Sequence, residues 1–153
     1  MTVSLDIEEM LEDAYIAILE ANTYVVANSI PVRRWRDADN DKVYPVIVVH
    51  ADNVSTDPAF GNIFLATPAL VTVSAMTLKR VDTDSADINT LRNEIRGTLS
   101  SSTIVDDLNA EVSGLNIYDN GVFWGSASSD EDTNTIRRRD VQQEVTATVV
   151  DVP

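Results

Sequence analysis

The chain has 153 residues, enough for one domain that buries roughly 70% of its unfolded surface, and 44% of them are hydrophobic, which excludes the composition of a disordered segment. With 25 acidic and 11 basic side chains the net charge is −14, so the protein repels a phosphate backbone, and no specific nucleic-acid binding is expected. Cysteine is absent, which excludes disulfide frameworks, thiolate catalysis and thiolate-held metal.

The opening MTVSLDIEEMLEDA has no basic leader and no unbroken apolar run, so neither a signal peptide nor a membrane span is expected, in a protein made in the cytoplasm. Ile7, Met10, Leu11, Ala14, Ile18 and Leu19 recur at helical spacing, and Asp6 with Glu9 has the form of a capping box. Residues 6–21 are therefore predicted as an amphipathic helix whose outer face carries Glu8, Glu9, Glu12 and Asp13. Asn28 to Pro31 ends that region, VRRWR (32–36) alternates like a short strand, and 37–42 is a polar turn. VYPVIVVH (43–50) is apolar at every other position and between, the pattern of a strand inside a sheet, with Pro45 at an edge or bulge.

Residues 51–62 read as a long loop, and IFLATPALVTVSAMTLKR (63–80) as a long strand, bent at Pro68. A second helix follows, capped by Asp84 or Ser85, with Ile88, Leu91, Ile95 and Leu99 on one stripe and Gly97 weakening its end. A further helical turn is predicted near 103–109. Leu115 to Trp124 reads as a strand interrupted by Asp119-Asn120-Gly121, SASSDEDTNT (126–135) as a mobile tip, and IRRRDVQQEVTATVV (136–150) as a strand. In that last strand Arg137 and Arg139 share a face with Val141, Gln143 and Val145, while Arg138 shares the other with Asp140 and Gln142.

This order predicts a single α+β domain over 1–153: a mainly antiparallel sheet, packed on one face by the N-terminal helix and the second, central helix, with a long C-terminal hairpin. Six of the 11 bases fall in two clusters, Arg33, Arg34 and Arg36, then Arg137, Arg138 and Arg139, whereas residues 1–32 hold six acids and no base. Such clusters read either as solvated strand ends or as acidic and basic patches that meet across a subunit boundary, where the planar guanidinium holds a carboxylate with two hydrogen bonds.

No catalytic residues are assigned. His50 is the single histidine, Gly125 and Ser126 do not complete a nucleophile elbow, and DADND lacks the glycine and the closing glutamate of a calcium loop. Neither a metal nor a cofactor is expected.

In the amphipathic first helix, VYPVIVVH, the long strand, DINTLRNEIRGTL and the closing WGSASSDEDTNTIRRRDVQQEVTATV, the chain resembles the tail terminator (tail completion) proteins of tailed bacteriophages. That resemblance implies a virion protein of the tail and neck: a hexameric ring that caps the finished tube, stops its polymerisation and joins it to the neck. Its partners would be further copies of itself, the tail tube protein and a neck or connector protein. Acidic loop side chains are then expected towards the channel and the arginines towards protein neighbours. Two other readings stay open, another head-completion component such as a connector or stopper, and a soluble acidic binding module.

Overall fold

The computed structural model describes residues 7–35, 44–53, 66–78, 86–112, 115–118, 127–132 and 136–149. Helix α1 (Ile7–Glu20) forms within the predicted span, while Asp6 and its capping box lie outside the described residues. Leu11, Ala14, Tyr15 and Leu19 are completely buried along one side of α1. Each buried leucine of this kind contributes about 1.5–3 kcal/mol of transfer free energy.

A short helix not foreseen from the periodicity follows, α2 (Thr23–Ala27). Five residues carry too little apolar repeat to register, but the ends are well signalled. Asn22 caps it by accepting from the Tyr24 and Val25 amides at 2.9 and 3.1 Å. At the other end Ser29 takes a left-handed conformation (φ 52°), the Ile30 amide reaches the Val25 carbonyl at 3.0 Å and the Ser29 amide reaches Val26 at 3.2 Å. This is a Schellman closure, with buried Ile30 and Val25 forming its apolar pair and Pro31 preventing the helix from continuing. The turn aims the chain into strand β1 (Val32–Arg34).

The remaining elements are β2 (Val46–Asn53), β3 (Ala66–Leu78), α3 (Ala86–Leu99), α4 (Ile104–Glu111), β4 (Leu115–Tyr118), β5 (Ala127–Asp132) and β6 (Ile136–Val149). Helix α3 runs on past Gly97 to Leu99, and the first three residues of the expected loop 51–62 belong to β2. The fold is α+β, with a six-stranded mixed sheet in the order β1-β2-β3-β6-β4 and β5 also paired to β6. The expectation of a mainly antiparallel sheet needs one correction: β1 runs parallel to β2. A chain that returns to the same end of the sheet through the long stretch 35–45 can pair in parallel, which a tight hairpin cannot.

The C-terminal region differs most from expectation. Ala127–Asp132, read as part of a mobile polar tip, is a strand paired antiparallel to β6, Ala127 opposite Gln142 and Asp132 opposite Arg137. Strand β4 pairs antiparallel with the far end of β6, Leu115 opposite Val149, as the expected hairpin has it, while β5 takes the near end. The low apolar content of 127–132 hid the strand, because an edge position needs no buried face.

Odd-numbered residues of β2, β3 and β6 point to the helices and build the core with Ile88, Leu91, Ile95 and Leu99 of α3 and Leu108 of α4. Within it one polar link joins three elements: the Tyr15 hydroxyl donates to Gln143 Oε1 at 2.5 Å, and Gln143 Nε2 donates to the Leu99 carbonyl at 2.9 Å. The second bond satisfies a carbonyl left open at the end of α3. Among the described residues no helix is long and apolar enough to cross a membrane.

Burial pushes the Tyr15 phenol well above its ordinary range near pH 10. The folded state thus holds this proton more tightly than the unfolded chain, so the stability it contributes is present below about pH 10 and is lost as the pH rises beyond. Tyr15→Phe leaves Gln143 Oε1 without its donor and is expected to cost about 1–3 kcal/mol near neutrality. It should also flatten the alkaline fall, which denaturant titrations at neutral and strongly alkaline pH will measure.

Candidate functional site

The residues singled out for subunit contact are largely engaged within their own chain. Arg34, on the helix-facing side of β1, reaches α1: its guanidinium donates to Glu9 Oε1 at 3.0 Å and to Asp13 Oδ1. The hydrogen bond that Arg34 donates to Asp13 raises the Arg34 pKa above the ordinary arginine value, with Glu9 and Glu12 adding to it, so this cation stays charged throughout. The side chains of Glu9 and Asp13 keep about half of their surface in solvent (44% and 58%), so the pairing is partly screened and contributes modestly.

Glu12 overturns the expected acidic outer face. It is 1% exposed, and its Oε2 accepts the Ala51 amide of β2 at 3.1 Å. A carboxylate can stand inside because it is hydrogen-bonded there and lies in the positive field of Arg34. Glu8 is half-buried, Arg33 is half-buried on the opposite side of β1 from Arg34, and Arg36 lies outside the described residues.

The arginine triplet also has neighbours within its own chain. Strand β5 places an acid opposite each base: Asp130 opposite Arg139, Glu131 opposite Arg138, Asp132 opposite Arg137. Arg138 also pairs with Asp140 of its own strand, Nε to Oδ1 at 2.9 Å, and approaches Ser74 Oγ at 3.4 Å. Arg139 is only 7% exposed and donates to the Arg138 carbonyl at 2.9 Å.

The face of the sheet away from the helices was not singled out beforehand. Even-numbered residues of β2, β3 and β6 line a groove of about 390 Å³ there, with Val48, His50, Thr72, Ser74, Arg138 and Gln142 on its floor and walls. Trp35 closes one end, its ring tilted 50° to His50 with centroids 4.5 Å apart, and His50 Nε2 lies 3.1 Å from Asp52. Gln142 Nε2 reaches Thr72 Oγ1 at 3.3 Å, so the floor is knitted by cross-strand polar contacts. The signal in the sequence was the polar parity of β3 and β6, which marks a face not committed to the apolar core. A second hollow of about 300 Å³ lies between α2, the start of β2 and α3, with Tyr24, Tyr44, Leu78 and Leu91 at its wall and Asp87 at its rim.

Chemically these surfaces offer hydrogen bonds, aromatic edges and paired charge. Among the described residues no group of three or more histidine, aspartate or glutamate side chains is placed to hold a metal ion.

Reversing Arg138 and Arg139 to glutamate tests the internal role of the triplet. Arg138→Glu with Arg139→Glu sets two new acids against the acids of β5 and is expected to lower the stability of the single chain by about 3–5 kcal/mol, chiefly through buried Arg139. Denaturant unfolding at a concentration where the chain is monomeric measures this, and an unchanged midpoint would show that the triplet does not hold the sheet.

No protein-family model matches the chain, and among curated proteins there is no significant match.

Proposed function

We propose that this chain is a structural subunit of a tailed-phage particle, a tail terminator that forms a ring on the finished end of the tail tube, stops tube polymerisation and joins the tail to the neck. The reading rests on the element order shared with that family over nearly the whole chain. The observation that carries it furthest is the one-sided sheet. Helices pack on one face, and among the described residues no helix covers the other. A ring subunit needs two different surfaces for its neighbours and two more for the structures above and below. A groove-bearing sheet face that no described helix packs on, together with separate sheet edges, supplies unlike surfaces on one small domain.

Six copies is the number the resemblance implies, with the tube protein on one side and a neck or connector protein on the other, in the virion. The role requires no reaction. The tyrosine-rich hollow and the groove serve as places where a neighbour's side chains seat.

The test is mass measurement of the purified protein, alone and mixed with tail tube protein. A closed species of about six subunits, and tubes whose growth stops when the protein is added, is the outcome expected from the resemblance. Tubes that keep growing, together with binding to a portal-side component, would favour the connector or stopper. A strict monomer under both conditions rejects the ring and leaves the acidic binding module.

Duplex DNA is not a partner in this reading, because a genome passing through a ring gains from repulsion by its −14 charge. Gel-shift titration is expected to find no binding at moderate salt. A shift that weakens steeply with added salt and disappears on changing Arg137, Arg138 and Arg139 to alanine would overturn this.

A further inference from the structure

Resting on the ring reading, we propose that neighbouring copies join edge to edge, β1 of one copy adding to β5 of the next in an antiparallel ladder that sets Arg33 opposite Glu131 and Arg34 opposite Asp130.

The sheet ends in two short strands of opposite charge. Strand β1 is Val-Arg-Arg, and β5 is Ala-Ser-Ser-Asp-Glu-Asp. Among the described residues β1 pairs with β2 alone and β5 with β6 alone, so each has one side without a strand neighbour. The third terminal strand is different. Ile117 of β4 already exchanges two bonds with the Asn109 side chain, its amide to Oδ1 at 2.7 Å and its carbonyl from Nδ2 at 2.8 Å, which closes that edge. On β1 the Pro31 carbonyl accepts the Ile47 amide at 3.0 Å. Backbone groups alternate in direction along a strand, so those of Val32 and Arg34 point away from β2, towards the position a further strand would take.

Direction and level both fit. Strand β1 is parallel to β2, and β3, β6 and β5 then alternate, so β5 runs opposite to β1. Copies related by rotation about an axis to which the strands are tilted keep these directions, and the new pair is antiparallel, the more stable ladder. The cross-sheet row through Arg33 passes Val48, Ser74 and Asp140 to Ser129, so the two edges stand level. A stagger of two residues from level brings Glu131 to Arg33 and Asp130 to Arg34, and closing a sheet into a ring requires some stagger.

Faces agree as well. Arg33 lies on the groove side, as does the Glu131 position opposite Arg138, while Arg34 and the Asp130 position opposite Arg139 lie on the helix side. Each face then carries a column of base, acid and base. Neighbours in a column are opposite in sign at about 5 Å, and like charges are about 10 Å apart, near one screening length. Two β1 edges, or two β5 edges, would set like charges against each other, so the same chemistry disfavours a two-fold dimer and favours head-to-tail closure.

The absence of native cysteine makes the test direct. Within one copy the two edges are four strand spacings apart, roughly 19 Å, far beyond the reach of a disulfide. The variant Arg33→Cys with Glu131→Cys is expected to give, on mild oxidation of the assembled protein, a non-reducible-by-dilution ladder of covalent oligomers ending at the ring, whereas each single variant stops at dimer or below. Rings that form but cross-link neither through Glu131→Cys nor through Ser129→Cys overturn the edge pairing and leave the ring standing. Cross-linking through Ser129→Cys alone overturns the charge register, and a protein that never assembles overturns ring and pairing together. Hydrogen exchange on the unaltered protein gives an independent reading: residues 32–34 and 127–132 should exchange more slowly in the ring than in the dilute subunit, and equal rates reject the proposal.

Discussion

The ladder between β3 and β6 is the constraint on which the rest of the molecule depends. It runs from Ala66 opposite Thr148 to Leu78 opposite Ile136, and it sets β6 between β3 on one side and both β4 and β5 on the other. Side chains alternate between faces, so a slip of one residue would turn Val141, Val145 and Ala147 out of the core and Gln143 away from Tyr15. Polar residues help to prevent such a slip. Gln143 is 2% exposed and spends both ends of its amide on Tyr15 and Leu99, two partners that only one register supplies.

The same strand explains how an acidic chain tolerates a run of arginines in its sheet. Arg138 pairs with Asp140 beside it and Arg34 with Glu9 and Asp13 on α1, and the backbone register sets acidic positions of β5 opposite the triplet. The guanidinium suits these positions because its fork can serve two acceptors at once, as Arg34 does, and because it is less strongly hydrated than an ammonium. The base clusters are therefore part of the fold first. Any role between copies is carried by the edges and faces that the folded sheet presents, rather than by patches of unmatched charge.

Much of the local structure was legible. The stripes of α1 and α3, the apolar run of β2 and the alternation of β6 are determined by side-chain period, because an element that must bury one side repeats its apolar residues at its own geometric interval. The ends of α2 were legible in principle from Asn22 and the Asn28 to Pro31 segment, yet five residues offer no period to find. Strand β5 was hidden for a related reason: SSDED owes its extended form to backbone bonds with β6 and to the arginines facing it, neither of which is local in sequence.

By itself, then, the sequence determined the strongly periodic helices and strands, the apolar stripes that they bury, and that the protein is strongly acidic. Only the tertiary structure decided where the charges go. Glu12 reads as one more acid on a helical surface, but it lies inside because β2 brings the Ala51 amide to it. Arg34 meets Glu9 and Asp13 because β1 runs parallel to β2 beneath α1, and the positions of Asp130, Glu131 and Asp132 fall opposite the arginine triplet because β5 folds back along β6. Period is a property of neighbours along the chain, whereas the partner of a charge is set by register between strands distant in sequence, and register is fixed only when the whole sheet has formed.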